Sequence, residues 1–277
     1  FSKGGWMSDL LATEGFPTLA GALILGAGRI PDDVGRVLDR KKKTLPANPI
    51  SIYIGIGQLD TNHPYSRRAA KHYRARKHPV VFEEYLAKGH RSGEPDAIYL
   101  NQWLRLQIAD KLTIQEEADN WWESILKRAE NIQLPIERVV YLETMSAAPF
   151  AALIAAEKRA SLTKKLQRVR AHRSLRAETE AQRAYQNAQT EEEGIRRSEE
   201  LPKVASTFSR VHERFPQTFF GQRAGLDLVR VAKNYRTLQR SVGETKAASF
   251  PQPKNQGALE ERFAQFDLTL RSLHGDG

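Results

Sequence analysis

The sequence predicts an α/β fold over residues 1–112, where helices flank a parallel sheet with three visible strands, followed by an all-α region over residues 113–277. Two observations predict this division. Up to about residue 111, short apolar runs alternate with amphipathic stretches, a spacing typical of βαβ units with right-handed crossovers. After residue 112 the strand-like runs disappear and only helical periodicity remains. We therefore treat 1–112 and 113–277 as two domains.

Three apolar runs carry the strand prediction. They are LAGALIL at 19–25, ISIYIGI at 50–56 and VVFEEYL at 80–86, and a glycine follows each run within a few residues. Runs that are apolar at nearly every position fit strands buried on both faces of a parallel sheet. Because a sheet of three strands is small to stand alone, we expect further strands upstream and an unpaired edge on the first strand.

Helices are predicted between and after these runs. They lie at 6–13, 32–42, 65–77 and 96–111 in the first domain, and at 114–132, 135–145, 148–188, 201–215, 219–241 and 257–273 in the second. The clearest apolar stripe recurs at helical spacing and is formed by Val204, Phe208, Val211 and Phe215. The polar stretch 187–200 predicts a break or a solvated helix, and 241–256 predicts a loop.

Composition excludes several kinds of site. The 277 residues include no cysteine, which rules out disulfides, thiolate metal ligands and a cysteine nucleophile. Histidines and acidic residues show no metal-ligand spacing such as H-E-x-x-H, so we predict neither a metal nor another cofactor. No apolar run approaches the roughly 20 residues that cross a bilayer, so no transmembrane segment is predicted.

The net charge of +10 is compatible with a nucleic-acid or other anionic partner. Basic residues are densest at 40–43 and at 164–176. The second cluster has no interleaved aromatic residues on which bases could stack. We therefore interpret the excess charge as solvated surface and do not predict binding to nucleic acid.

Three polar residues lie where the predicted strands end or where a helix begins. Ser2 lies in FSKGGWM at the start of the chain, Asp60 ends IGIGQLD after the second apolar run, and His90 ends EEYLAKGH after the third. In open parallel sheets, ligands bind at the carboxyl ends of the strands. These three residues are therefore the candidates for chemistry.

The three residues and their order resemble those of α/β-hydrolases. FSKGGWM resembles the nucleophile elbow of that family, G-x-S-x-G, in which a serine lies on a sharp strand-to-helix turn. Small neighbours are needed beside such a serine, and Gly4 and Gly5 meet that need. The resemblance covers about residues 1–111 and is closest to esterases, dienelactone-hydrolase-like proteins and prolyl-oligopeptidase-like enzymes. It implies the C-terminal half of such a domain, a truncated α/β-hydrolase sheet that begins at the elbow.

The resemblance implies a serine hydrolase that acts on small carboxylic esters or peptides through an acyl-enzyme. Ser2 would be the nucleophile, His90 the base and Asp60 the acid that orients it. The backbone N–H of Lys3 would be one oxyanion donor. The second donor in the family comes from an upstream loop, so we expect this stretch of chain to be inactive, or nearly so, by itself.

Each assignment has an ordinary alternative. Asp60 would serve equally as a cap for the helix that begins near Pro64, and His90 as a loop residue. The first domain would then be a non-catalytic, hydrolase-like domain that carries a helical protein-interaction module or a basic nucleic-acid-binding module. The sequence leaves open whether the helical domain binds a protein partner or self-associates. It also does not separate ester from amide substrates.

Two further expectations concern other histidines and the start of the chain. His63, His72 and His78 are expected at the surface, and His63 is not predicted as the base because it precedes a helix instead of following the last strand. The first residues show neither an initiator methionine nor a signal-peptide pattern, so we expect the chain to begin inside a longer protein. The compartment is left open.

Overall fold

The computed structural model describes residues 1–14, 19–28, 49–91, 98–241 and 252–271. In these residues three strands form one parallel sheet in the order β1-β2-β3, with β1 at Gly21–Leu25, β2 at Ser51–Gly57 and β3 at Val80–Tyr85. The parallel sheet with flanking helices and the largely helical remainder confirm the predicted fold class at this level. Within the described ranges, β1 is an edge strand whose only strand partner is β2.

Side chains on both faces of β2 explain its central position. Ile52 and Ile54 belong to a core on one face of the sheet, whereas Tyr53 belongs to a core on the other, as the alternation of a strand requires. Two helices, α1 at Lys3–Glu14 and α2 at His63–Ala75, cover the isoleucine face.

The second face of the sheet is covered by α3 at Ile98–Ile108. This helix brings the indole of Trp103 to 6.0 Å from the ring of Tyr53, measured between centroids. The core on this face continues without interruption into the helical region as far as Leu270. The helices therefore complete the burial of the sheet.

The remaining helices follow in chain order: α4 at Lys111–Asn131, α5 at Pro135–Ser146, α6 at Ala156–Arg170, α7 at Arg176–Gly194, α8 at Leu201–Arg214, α9 at Phe219–Ser241 and α10 at Gln256–Arg271. Short 3-10 turns lie at Pro149–Leu153, Arg173–Leu175 and Ser198–Glu200. The helix α10 returns to the sheet, where Asp267 accepts a hydrogen bond from the backbone N–H of Leu86 at 2.9 Å and Arg271 pairs with Glu83 at 2.8 Å.

The single helix expected at 148–188 is wrong. The structure divides this stretch into a 3-10 turn, α6, a second 3-10 turn and α7. Ala155 and His172 have ψ angles of 137° and 138°, which end helical geometry before α6 and before the second turn. The imidazole of His172 also accepts a hydrogen bond from the backbone N–H of Ser174 at 3.3 Å, so it caps the new turn.

The basic stretch at 164–176 falls on α6, on the following turn and on the start of α7. In α6, only Leu162 and Leu166 are buried, so its basic side chains lie on the surface. The basic cluster at 40–43 and the predicted helix at 32–42 lie outside the described residues, as does most of the predicted loop at 241–256. Across the part of the chain that is described, no helix is both long and apolar enough to cross a membrane.

Four charged side chains join α2 to α7 and α9, and we call them the interface ion cluster: Arg67, Glu192, Asp227 and Arg230. Arg67 lies 2.7 Å from Glu192, Arg230 donates to Glu192 at 2.9 Å, and Arg230 lies 3.5 Å from Asp227. The side chains of Glu192, Asp227 and Arg230 are at most 2% exposed. Burial raises the pKa of Glu192, but the Arg230 and Arg67 charges outweigh it and lower this pKa to about 2.

The expectation that His63 and His78 lie at the surface is wrong. His63 is fully buried, and its Nε2 lies 2.6 Å from the carboxylate of Glu84, while its Nδ1 accepts a hydrogen bond from Arg67 at 3.3 Å. Burial and the charge of Arg67 lower the pKa of His63, against the opposing effect of Glu84. His78 is buried against the backbone of Ile50. Both histidines are structural members of the core.

Candidate active site

Ser2 lies directly before α1 in a left-handed backbone conformation, with φ of 53°. Its N–H donates to the carbonyl of Leu25 at the end of β1 at 2.8 Å, and its own carbonyl accepts from the N–H of Trp6 in the first turn of α1 at 3.0 Å. A residue with a side chain pays roughly 1–2 kcal/mol for such a conformation, and strain of this kind concentrates at functional sites. These backbone hydrogen bonds hold the sharp turn that contains Ser2 against the carboxyl end of β1.

The side chains of Ser2, His90 and Asp60 form one hydrogen-bonded chain. The Nε2 of His90 lies 3.1 Å from the Oγ of Ser2, and its Nδ1 lies 2.7 Å from the Oδ2 of Asp60. Because a carboxylate only accepts, the Asp60 contact favours a proton on Nδ1, which leaves Nε2 free to accept the serine proton. Asp60 is 1% exposed, whereas the imidazole of His90 is 43% exposed. The imidazole of His90 is therefore partly open to solvent, whereas the carboxylate bonded to it is buried.

The turn that carries Asp60 is tied to the segment that carries His90. The N–H of Leu59 donates to the carbonyl of Lys88 at 2.8 Å. This approach needs a glycine at position 57, since a Cβ there would lie 2.4 Å from the carbonyl oxygen of Lys88. Asp60 and His90 are thus held together by backbone contacts as well as by their own hydrogen bond.

The ring of Phe1 packs against the His90 imidazole, and the two ring centroids lie 4.6 Å apart. Beneath the ring lies Gly26, which follows β1 and has φ of 59°. A Cβ on Gly26 would lie 2.3 Å from the Phe1 ring. The absence of a side chain at this position gives the ring room to lie against the imidazole.

Lys3 is the first residue of α1, so its N–H belongs to the helical turn whose donors have no acceptor within the helix. The positive end of the helix dipole also lies at this turn. An N–H group directly after Ser2 is placed to stabilise negative charge on the oxygen of a carbonyl group whose carbon bonds to the serine oxygen. The position of the Lys3 N–H is therefore compatible with its predicted role as an oxyanion donor.

The two glycines of the elbow differ in how tightly they are packed. A Cβ on Gly5 would lie 2.7 Å from both the carbonyl oxygen of Leu25 and the Cβ of Ala27, whereas a Cβ on Gly4 would meet no atom within 4 Å. The close approach of α1 to β1 therefore depends on Gly5. The described neighbours of Gly4 leave room for a side chain, so packing does not require a glycine at this position.

We expect Gly5→Ala to lower the free energy of unfolding by about 1–3 kcal/mol, because the added methyl must displace the backbone of β1. Gly4→Ala is the matched control, and we expect it to leave stability unchanged or to raise it by up to about 1 kcal/mol through helix propensity. Urea unfolding of both variants measures the difference. Equal effects of the two substitutions would contradict the packing described for α1.

Among the described residues, the three side chains coincide neither with a group that could hold a metal ion nor with the apolar cleft between α4, α5 and α6. In the described ranges, no group of three or more histidine and acidic side chains is arranged to hold a metal ion. An apolar cleft of about 720 Å³ lies between α4, α5 and α6 and is lined in part by Trp122, Leu142 and Leu166. Neither the serine nor its partners line it, so the cleft is separate from the candidate active site.

The assignment of a function to this site depends on its own geometry. No protein-family model, no curated protein and no solved structure matches the chain.

Proposed function

We propose that the protein is a serine hydrolase of the α/β-hydrolase type that cleaves carboxylic esters or peptides through an acyl-enzyme. The observation that supports this proposal best is the imidazole of His90, which bridges Ser2 at 3.1 Å and Asp60 at 2.7 Å. The parallel sheet supports it further, because all three residues lie at the carboxyl ends of strands or next to them.

The mechanism follows from the atoms in contact. The Oγ of Ser2 attacks the substrate carbonyl carbon while its proton passes to Nε2 of His90. The imidazolium, stabilised by Asp60, then gives this proton to the leaving alkoxide or amine, and an acyl-serine ester remains. A water molecule then gives a proton to His90 and attacks the acyl carbon. The bond from this carbon to the Oγ of Ser2 breaks, the carboxylic acid leaves, and His90 returns the proton to Oγ. In these steps the three side chains form the covalent bond and move the protons, and backbone donors stabilise the charge that develops.

The negative charge that forms on the carbonyl oxygen is stabilised by the backbone N–H of Lys3 at the start of α1. Removing one donor of this kind typically lowers kcat by about 10²–10³-fold. The proposal therefore includes a second donor besides Lys3, as the resemblance to α/β-hydrolases implies. Whether the leaving group is an alcohol or an amine depends on substrate contacts beyond the three residues.

Labelling with a fluorophosphonate probe tests the proposal in the full-length protein. The probe forms a bond between phosphorus and the Oγ of an activated serine with loss of fluoride, and we expect mass spectrometry to find it on the peptide that contains Ser2. We expect Ser2→Ala to abolish labelling. Ser8→Ala is the matched control on the same helix, since the Ser8 hydroxyl only donates to the Gly4 carbonyl at 3.0 Å, and we expect it to label like the natural protein.

Two outcomes contradict the proposal: no labelling of the natural protein, or equal labelling of the Ser2→Ala variant. In either case the first domain is better described as a non-catalytic, hydrolase-like domain. The helical domain would then be the place to look for function, with salt-sensitive binding to DNA as the first assay.

A further inference from the structure

Asn62 follows the acid by two residues and makes two contacts with different parts of the site. Its backbone N–H donates to the Oδ1 of Asp60 at 2.9 Å, the carboxylate oxygen that does not face His90. Its side-chain amide donates to the carbonyl of Gly26 at 2.9 Å. Gly26 directly follows Leu25, whose carbonyl holds the backbone of Ser2.

The side chain of Asn62 does not cap the helix that follows it, although its position in the chain suggests that it would. Asn62 is the N-cap residue of α2, where asparagine ordinarily accepts a hydrogen bond from the helix. Here its side chain makes no capping hydrogen bond, and its φ and ψ of −82° and −2° differ from the extended values usual for a cap. Its amide instead donates across the sheet edge to the turn after β1. The contact therefore has a role other than helix capping.

We propose that Asn62 is a positioning residue for the hydrolysis: it fixes the Asp60 carboxylate relative to the strand end that holds Ser2. The inference rests on the proposed function. Asn62 lies in the turn that follows β2 and carries Asp60, and its two hydrogen bonds join the Asp60 carboxylate to Gly26, the residue that follows β1. The backbone of Ser2 is hydrogen-bonded to the end of β1 at Leu25. Without the amide hydrogen bond to Gly26, the turn that carries Asp60 loses a direct contact with the strand end that holds Ser2, and the carboxylate and the imidazole bound to it shift relative to the serine. Misplacement of reacting groups by about 1 Å can lower the rate by about 10²-fold.

The test uses two variants of Asn62 in the full-length protein. Asn62→Ala removes the amide but keeps the backbone bond to Asp60, and Asn62→Asp keeps the size of the side chain but cannot donate to the Gly26 carbonyl. We expect both variants to lower kcat for a p-nitrophenyl ester by about 10–100-fold and to leave KM within about twofold. The rate of labelling by a fluorophosphonate is expected to fall in parallel, with the probe still on Ser2.

Ser66→Ala is the matched control, because Ser66 joins the same two elements without touching the acid. Its buried hydroxyl donates to the carbonyl of Ala27, the residue after Gly26. We expect this variant to lower the melting temperature but to keep kcat within about threefold of the natural value. If Asn62 did no more than hold α2 to β1, Ser66→Ala would lower kcat by as much as the Asn62 variants do.

The outcomes separate this inference from the proposed function. A natural protein that is not labelled at Ser2 overturns the proposed function and the inference with it. If the natural protein is labelled, and Asn62→Ala and Asn62→Asp keep the natural kcat, the inference is overturned while the function stands. A loss of kcat in Ser66→Ala equal to that in the Asn62 variants also overturns it. Should Asn62→Ala fail to fold, the isosteric Asn62→Asp variant decides.

Discussion

Replacing Asp60 with asparagine is expected to lower kcat for ester hydrolysis by about 10⁴-fold without unfolding the protein. The Oδ1 of Asp60 accepts from the backbone N–H of Asn62, so the amide oxygen of the new side chain would keep this place. The NH₂ group would then face Nδ1 of His90, at the position of Oδ2 in the natural protein. An imidazole that accepts at Nδ1 carries its proton on Nε2 and cannot take the proton of Ser2.

Asp110→Asn is the matched control for this substitution. Asp110 caps α4 by accepting from the backbone N–H groups of Leu112 and Thr113, and asparagine caps helices about as well. We expect this variant to keep kcat within about twofold. Steady-state kinetics of both variants in the full-length protein provide the measurement. A kcat above about one tenth of the natural value in Asp60→Asn would show that Asp60 does not orient the base.

Replacing Arg230 with methionine is expected to lower the free energy of unfolding by about 3–5 kcal/mol. The substitution removes one cation from the interface ion cluster, and both buried carboxylates remain. Glu192 would keep only Arg67, and Asp227 would lose its cation neighbour at 3.5 Å. The two carboxylates are 2% and 0% exposed, so water cannot take the place of the guanidinium. Urea unfolding at neutral pH measures the loss.

The control for this prediction is Arg176→Met, which removes an exposed pair. Arg176 lies 3.3 Å from Glu180 on α7, and the two side chains are 83% and 46% exposed. Pairs of this kind contribute about 0.3–0.5 kcal/mol, so we expect a change of no more than about 0.5 kcal/mol. Similar losses in the two arginine variants would contradict the description of the interface ion cluster as buried.

Acid should weaken the natural protein through the same cluster. The pKa of Glu192 is lowered from its ordinary 4.5 to about 2 in the folded state. A carboxyl group with a lowered folded pKa contributes stability that is present above pH 4.5 and is lost as the pH falls towards 2. We therefore expect the free energy of unfolding to decrease over this window, and less steeply in Glu192→Gln. If the free energy of unfolding fell equally steeply with pH in the two proteins, the lowered pKa of Glu192 would be contradicted.

The strands and the three site residues could be predicted from sequence because their signals are local. Each predicted strand agrees with the structure to within two residues, since strands buried on both faces are apolar at nearly every position. Ser2, Asp60 and His90 lie at the ends of such runs, and the sheet brings strand ends together. Their hydrogen-bond chain is observed, and their catalytic roles stay predictions.

The features that could not be predicted depend on residues distant in the sequence. The stretch of α2 that contains Arg67 resembles a solvated helix, and only its contact with Glu192, 125 residues later, makes it part of a buried cluster. The same applies to His63, whose burial depends on its neighbours in the folded chain. In the sequence, Asn62 resembles part of an ordinary cap, because nothing there indicates that its amide reaches Gly26. Periodicity carries no information about such partners.

The return of α10 to the sheet delays the completion of the site during synthesis. The N–H of Leu86, at the end of β3, is held by Asp267, which the ribosome adds 181 residues later. At about 5–20 residues per second, this interval takes roughly 10–35 s. The segment that follows β3 also carries His90, so one of the contacts that position His90 forms only after α10 has been synthesised. The segment of a nascent chain that carries His90 therefore lacks this contact for many seconds, and we expect chains that stop short of α10 to react more slowly with a serine-directed probe.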